Sequence, residues 1–263
     1  MIRHSIIGVL SVVLLLFTIR GLAGQAPFEA TQRGRTFLVS LLDTNLDLLP
    51  EYRGANVYWL FHDNYLASRV LAISYPKVSQ QIIAAIHREG VYKSGRIQSV
   101  FGEIVEPLPF HEHQSKDLRS LSNKVIRTEV ATSQLFAGWE NYADLLFLAC
   151  FTEKNPQAAH RYWEAAMRMW DGNGFMDEAA KHEHLYSTYK LGLALLAAKR
   201  LSPPVEPPPG TFDKLLALQN ESGGWVTHYD STGKKFGDAN VETTSLAILG
   251  LEATAGQGPK PSK

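Results

Sequence analysis

Uniformly apolar stretches alternate with more polar amphipathic ones along most of this chain. "YSTYKLGLALL" (186–196) and "VETTSLAILGL" (241–251) are apolar on nearly every side of a helix. Each follows an amphipathic stretch, "NPQAAHRYWEAAMRMW" (155–170) and "GTFDKLLALQN" (210–220), which starts at a typical helix-start signal. Because a helix that is apolar all round is buried and an amphipathic one covers it, the pattern predicts pairs of outer and inner helices.

The later pairs share one plan, in which a Gly-aromatic turn, Gly174-Phe175 or Gly224-Trp225, leads through a polar loop into the apolar helix. Two weaker copies lie upstream, where residues 31–48 lead into 56–73 and residues 76–90 lead into 136–151. Repeats of about 20–50 residues are typical of arrays in which each unit needs its neighbours to bury its apolar face. We therefore expect an all-α fold, an α/α toroid (a partial or small α/α barrel) of about four helical hairpins.

The last copy also carries a family resemblance. "LLALQNESGGWVTHYDSTGKKFGDANVETTSLAILGLEA" (215–253) resembles a repeat of the terpenoid cyclase and protein prenyltransferase superfamily, and its Gln219 to Gly224-Trp225 spacing is similar to that of squalene cyclase repeats. The chain is also similar to prokaryotic proteins with the segments "YWLFHDNYLA", "GWENYADLL", "MWDGNGF" and "YSTYKL", which imply no activity. The resemblance implies the toroid fold, which thioester domains of complement-type proteins share.

The activities of these families do not follow from the resemblance, because fold does not imply function. The chain lacks the Asp-rich acid motif of the cyclases, the short Cys and Gln motif of thioester domains, and the zinc ligands expected around Cys150 in a prenyltransferase. As the single cysteine, Cys150 excludes an intrachain disulfide, and its apolar surroundings predict an inert thiol.

Residues 91–130 interrupt the helical pattern. Residues 96–107 and 123–133 have strand character and flank a polar loop at 108–122, which predicts an inserted β-hairpin that is either a lid over one end of the toroid or a surface ornament. The proline-rich stretch 202–210 predicts an extended crossing outside the helices, with an interdomain linker as the alternative. We assign residues 28–255 to one domain and 256–263 to a disordered tail.

The N-terminal segment predicts export. A charged start, the apolar run 6–19 and small residues up to Ala26 have the order of a secretory signal, so residues 1–24 are a signal peptide or, if uncleaved, an N-terminal membrane anchor. Gln25 stands where a lipoprotein would need cysteine. We expect a protein outside the cytoplasm, secreted or anchored at the outer face of the membrane.

Charge excludes one class of partner. Lysine and arginine together number 26, as do aspartate and glutamate, and no basic stripe is present, so we expect no nucleic-acid partner.

Polar and aromatic residues are enriched at the starts of the four apolar helices, which would meet at one mouth. From them we predict ligand-binding residues Tyr58, Trp59, Asn64, Trp139, Asn141, His184, Tyr186, Tyr189, Trp225, Asp238, Asn240 and Glu242. Aromatic walls with a few placed polar groups are typical of small-molecule and sugar sites. The alternative is that these residues are helix caps and packed tyrosines.

The candidate catalytic residues are His62, Asp63, Glu140 and Asp144, because histidine titrates near neutral pH and paired carboxylates suit glycoside hydrolysis. The predicted function is binding of a glycan or peptide at the mouth, with a polysaccharide-active hydrolase or lyase as the alternative. No cofactor and no metal are predicted. The two His-Glu-His tripeptides, 111–113 and 182–184, could present ligands, but solvated loops explain them equally well.

Overall fold

The computed structural model describes residues 26–90, 96–103, 110–121 and 124–255. The predicted signal segment 1–24 and the tail 256–263 lie outside the described residues. Within the described part of the chain, no helix combines the length and apolar character that a membrane crossing requires.

Half of the described chain is helical. The helices are α1 (26–40), α2 (Phe61–Leu71), α3 (Pro76–Arg88), α4 (Arg96–Ser99), α5 (Ala143–Thr152), α6 (Pro156–Met167), α7 (Glu178–Glu183), α8 (Thr188–Arg200), α9 (Thr211–Ala217) and α10 (Val241–Thr254). The apolar stretches form α2, α5, α8 and α10, whose packing runs in the order α2, α10, α8, α5. The short α4 contacts both α2 and α5, so that these helices and α4 surround a common interior.

The amphipathic helices α3, α6 and α9 pack outside α2, α5 and α8 respectively. Their starts follow the sequence signals: the Asn155 side chain caps α6 by accepting hydrogen bonds from the next turn, and Gly210 precedes α9 with a positive φ of 78°. The closest helix contact is between α8 and α10, where a Cβ on Gly192 would lie 2.5 Å from the backbone oxygen of Leu246. Only glycine permits this approach.

Two small sheets accompany the helices. In the first, β3 (Lys124–Leu135) lies between β1 (Tyr58–Leu60), its parallel partner, and β2 (His111–Leu121), its antiparallel partner. In the second, the order is β4 (Tyr186–Ser187), β5 (Val226–Tyr229) and β6 (Lys235–Ala239), and both pairs are antiparallel. The first sheet brings the hairpin β2–β3 to the strand that leads directly into α2.

The predicted all-α class, and with it the α/α toroid, is wrong. The described structure is 50% helix and 20% strand with two three-stranded sheets, which makes it a mixed α/β fold. The polar loop after Gly224-Trp225 forms the hairpin β5–β6, because its alternating side chains suit an extended pair.

The strand bounds in the insertion are also corrected. Residues 96–99 of the predicted first strand form α4, and most of the predicted loop 108–122 is β2. The residues of β2 are partly or fully exposed, so the strand does not need the apolar alternation that marks a half-buried one.

Candidate functional site

A cavity of about 180 Å³ lies among the starts of the four apolar helices. We call it the inner chamber. Its polar wall consists of His62, Arg96, Glu129, Asp144, Tyr189 and Glu242. Its apolar wall consists of Ile97, Val100, Leu148, Leu193 and Leu246, three of which lie one helical turn beyond a polar residue of the same helix.

One structural position supplies most of the polar wall. His62, Asp144, Tyr189 and Glu242 are each the second residue of their helix, α2, α5, α8 and α10 respectively. The backbone N–H groups at these four helix starts carry partial positive charge and favour anionic side chains nearby. The fold therefore holds acidic groups around the chamber with electrostatic support from the backbone.

A second cavity of about 410 Å³ adjoins the inner chamber and shares Arg96, Glu129 and Asp144 with it. We call it the hairpin groove, since Glu112 and His113 of β2 line it together with Phe136, Tyr142 and Leu145. The rings of Phe136 and Tyr142 lie 5.3 Å apart between centroids. The three shared residues thus form a neck between a small polar chamber and a larger groove with aromatic walls.

Beside the chamber, His62, Asp63 and Glu242 form a compact cluster. One potential ligand atom from each lies within 4.8 Å of the other two. The Asp63 side chain is 1% exposed, and neither of its carboxylate oxygens has a hydrogen-bond partner. His62 Nε2 lies 3.2 Å from Asp63 Oδ1 but without hydrogen-bond geometry. Buried carboxylates are normally hydrogen-bonded, so this one requires an explanation.

The protonation of the cluster is perturbed. Burial raises the pKa of Asp63 to about 8, and the nearby carboxylates Glu242, Glu51 and Glu129 add to this while His62 opposes it. Burial likewise raises the pKa of Glu242. Burial alone would lower the pKa of His62, but Asp63, Glu242 and Glu129 together raise it above its ordinary value. Perturbed groups in a cleft are a recognised sign of a functional site.

Asp144 is held from one side only. Its Oδ2 accepts a hydrogen bond of 3.0 Å from the Tyr189 hydroxyl, whereas its buried Oδ1 has no hydrogen-bond partner. Lys190 Nζ lies 4.0 Å from Oδ1 but donates to Asp177 at 2.6 Å instead. Burial and the neighbouring Asp144 raise the pKa of Tyr189 well above its ordinary value, so its hydroxyl keeps the proton that it donates. One carboxylate oxygen of Asp144 is thus fixed and the other is unpaired.

The structure brings five predicted site residues together: His62, Asp63, Asp144, Tyr189 and Glu242. The remaining predicted residues do not line the chamber. Glu140, Asn141, His184 and Asp238 are exposed at the surface. Trp59, Tyr186 and Trp225 belong to the hydrophobic core.

The other predicted residues have structural contacts. Asn64 bonds the backbone of Leu49, and Asn240 caps α10 through Thr243. Trp139 stacks on Phe110. Tyr58 is 37% exposed.

Neither His-Glu-His tripeptide belongs to a metal-ligand cluster. His111 Nδ1 lies 3.0 Å from the backbone oxygen of Thr132 in the hairpin, and His182 and His184 are exposed. In the described ranges, the one group of three or more ligand side chains close enough for an ion is the cluster at His62. Burial raises the pKa of Cys150 to about 12, in keeping with an unreactive thiol.

Sequence reasoning missed Arg96 and Glu129, which complete the neck, and Lys190 with Asp177, which support Asp144 from below. Arg96 and Glu129 lie in the interruption, where no helical repeat assigns them a position. Alternation in "VIRTEV" does place Glu129 opposite in face to the exposed side of β3 only once the sheet partner is known. A lysine inside an apolar helix was a usable signal, since a buried lysine requires a partner.

Comparison of the chain with protein-family models, with curated proteins and with solved structures found no match. The resemblance to the cyclase and prenyltransferase superfamily, the export of the chain and its glycan or peptide ligand therefore stay predictions.

Proposed function

We propose that this protein is a carbohydrate-active enzyme, a glycoside hydrolase or lyase, that cleaves a saccharide at the neck between the inner chamber and the hairpin groove. The observation that carries the proposal is the neck itself, where Glu129 of β3 and Asp144 of α5 come from different elements and line both cavities. Two carboxylates on either side of a bound glycosidic oxygen are what this reaction requires.

The sizes of the two cavities suit a saccharide that spans them. With about 30 Å³ for each water molecule, the inner chamber of about 180 Å³ has room for roughly six waters or one sugar ring. The groove has room for more of the chain and offers the rings of Phe136 and Tyr142 to the apolar faces of sugars. The scissile bond would lie between the ring in the chamber and the next ring in the groove.

The two carboxylates are assigned different roles. Asp144 is oriented by the Tyr189 hydroxyl and has an unpaired oxygen, so it acts as the base or nucleophile. Glu129 then protonates the leaving oxygen, and Arg96 beside both carboxylates binds a substrate oxygen. In a lyase the same base would instead remove a proton next to a carboxylate of the sugar, and Arg96 would bind that carboxylate.

A glycan-binding protein without turnover is the second candidate. It is favoured by the aromatic groove, which binds sugar faces with no need for the carboxylates. The two candidates differ in what they require of Asp144.

The test incubates the purified protein with a panel of neutral and uronic-acid oligosaccharides and measures new reducing ends and unsaturated products. Asp144→Asn and Glu129→Gln are compared with Asp213→Asn, an exposed carboxylate on α9 outside both cavities. We expect the two neck variants to lose at least about 100-fold in rate and the control to retain it.

Turnover that survives both neck substitutions in folded protein would overturn the enzyme proposal. Binding without turnover, weakened by substitution of Phe136 or Tyr142, would establish the second candidate in its place. A panel that is neither bound nor cleaved would reject both.

A further inference from the structure

The Asp63 carboxylate is the least satisfied polar group beside the inner chamber. It is 1% exposed, lies in the first turn of α2, and has no hydrogen bond to either oxygen. A protonated carboxyl would not resolve this, because its O–H would itself need an acceptor within reach. A missing ion is one of the few explanations for a buried polar group without partners.

The surroundings of Asp63 have the size of a metal site. The ligand atoms of His62, Asp63 and Glu242 lie within 4.8 Å of one another, and the His62 to Asp63 pair is 3.2 Å apart. Ligands at about 2.0–2.2 Å from one zinc ion are roughly 3.4 Å apart in a tetrahedron. Small side-chain rotations therefore suffice to place all three donors around one ion.

Charge and donor type indicate the kind of ion. Two carboxylates and a neutral imidazole carry two negative charges, which a divalent cation balances. Imidazole is a ligand of zinc and other transition metals, whereas calcium and magnesium prefer oxygen alone. Three protein ligands leave a position for water, and His62 and Glu242 both face the inner chamber.

We propose that His62, Asp63 and Glu242 bind one divalent transition-metal ion of the zinc or manganese type, with its open coordination position toward the inner chamber. The ion orders the two carboxylates and the imidazole that otherwise repel or lack partners. This site goes beyond the proposed saccharide cleavage, since it depends on residues outside the neck and requires no substrate.

The test strips the full chain with a chelator and titrates it with ZnCl₂, MnCl₂ and, as a spectroscopic probe, CoCl₂, with CaCl₂ and MgCl₂ for comparison. We expect one equivalent of zinc or manganese for each chain and a cobalt absorption spectrum typical of mixed nitrogen and oxygen ligands. Asp63→Asn and Glu242→Gln should weaken binding at least about 100-fold. Asp144→Asn, the matched carboxylate in the same chamber, should not.

Absence of uptake by the wild-type protein overturns the proposal, and so does uptake that Asp63→Asn leaves unchanged. Should Glu242→Gln not fold, His62→Gln provides the second variant, and loss of the nitrogen contribution from the cobalt spectrum provides a measurement on folded protein. Because metal uptake is measured without saccharide, its failure leaves the proposed cleavage untouched, and failed cleavage leaves the metal site untouched.

Discussion

The buried ion pair between Lys190 and Asp177 supports the start of α5, and its removal is the sharpest test of the described packing. Lys190 Nζ donates to Asp177 Oδ2 at 2.6 Å, and both side chains are at most 2% exposed. Asp177 also accepts from the backbone N–H of Ala143 at 3.0 Å and of Ala180 at 3.2 Å. One carboxylate thus ties α7 and α8 to the first residue of α5, next to Asp144.

Lys190→Met keeps most of the apolar stem but leaves Asp177 as a buried charge without its cation. Removal of one partner of a buried pair costs about 3–5 kcal/mol. For a domain of this size, 1 kcal/mol shifts the melting temperature by about 2–4 °C, so we expect a loss of roughly 6–20 °C. The matched control is Lys199→Met on the same helix, whose Nζ lies 3.9 Å from the exposed Glu206. That surface pair contributes about 0–1 kcal/mol.

Urea and thermal unfolding of the two variants measure the difference directly. The double variant Lys190→Met/Asp177→Asn removes both charges and should recover part of the stability, because the amide oxygen can still accept from a backbone N–H. If Lys190→Met costs no more than Lys199→Met, the pair is not desolvated as described. If the double variant is as unstable as the sum of the single ones, the two residues are not coupled.

Two further predictions concern the fold. Gly192→Ala should destabilise the protein by about 1–3 kcal/mol in urea unfolding, since the new Cβ would lie 2.5 Å from the backbone oxygen of Leu246, and an unchanged midpoint would contradict the close helix contact. Asp43→Asn should cost about 1 kcal/mol at pH 7. Burial alone would raise the pKa of Asp43, but hydrogen bonds from Lys124 and the backbone N–H of Asn45 lower it below its ordinary value. A lowered folded-state pKa stabilises the protein above the unfolded pKa and loses that effect as the pH falls through the folded pKa, so the difference between variant and wild type should vanish in strong acid; a difference that persists there would refute the pairing.

The helices were predictable because their signals are local. Apolar character on every side marks α8 and α10, and the Asn155-Pro156 pair marks the start of α6. The strands were not predictable in the same way. β2 is polar along its length because it lies on the edge of its sheet, and β4 is two residues long and exists through its pairing with β5.

The candidate site divides along the same line. The four helix starts at His62, Asp144, Tyr189 and Glu242 follow from the repeat, since equivalent positions of packed repeats meet at one end. Glu129 reaches the neck through the register of β3 on β1, which pairs Ile126 with Trp59. That register depends on contacts about 65 residues apart in sequence, and no local pattern encodes it.

The charge around the chamber explains why the cluster requires a further positive partner. The chamber and the adjoining cluster hold four carboxylates, those of Asp63, Glu129, Asp144 and Glu242. Four helix starts supply about half a positive charge each, and Arg96 supplies one more, whereas Lys190 is already neutralised by Asp177. About one negative charge is left without compensation, and burial concentrates it on Asp63. Either a proton shared with His62 or a bound cation must supply the balance. A proton satisfies the charge but leaves the Asp63 oxygens without hydrogen-bond partners, while a cation satisfies both requirements at once.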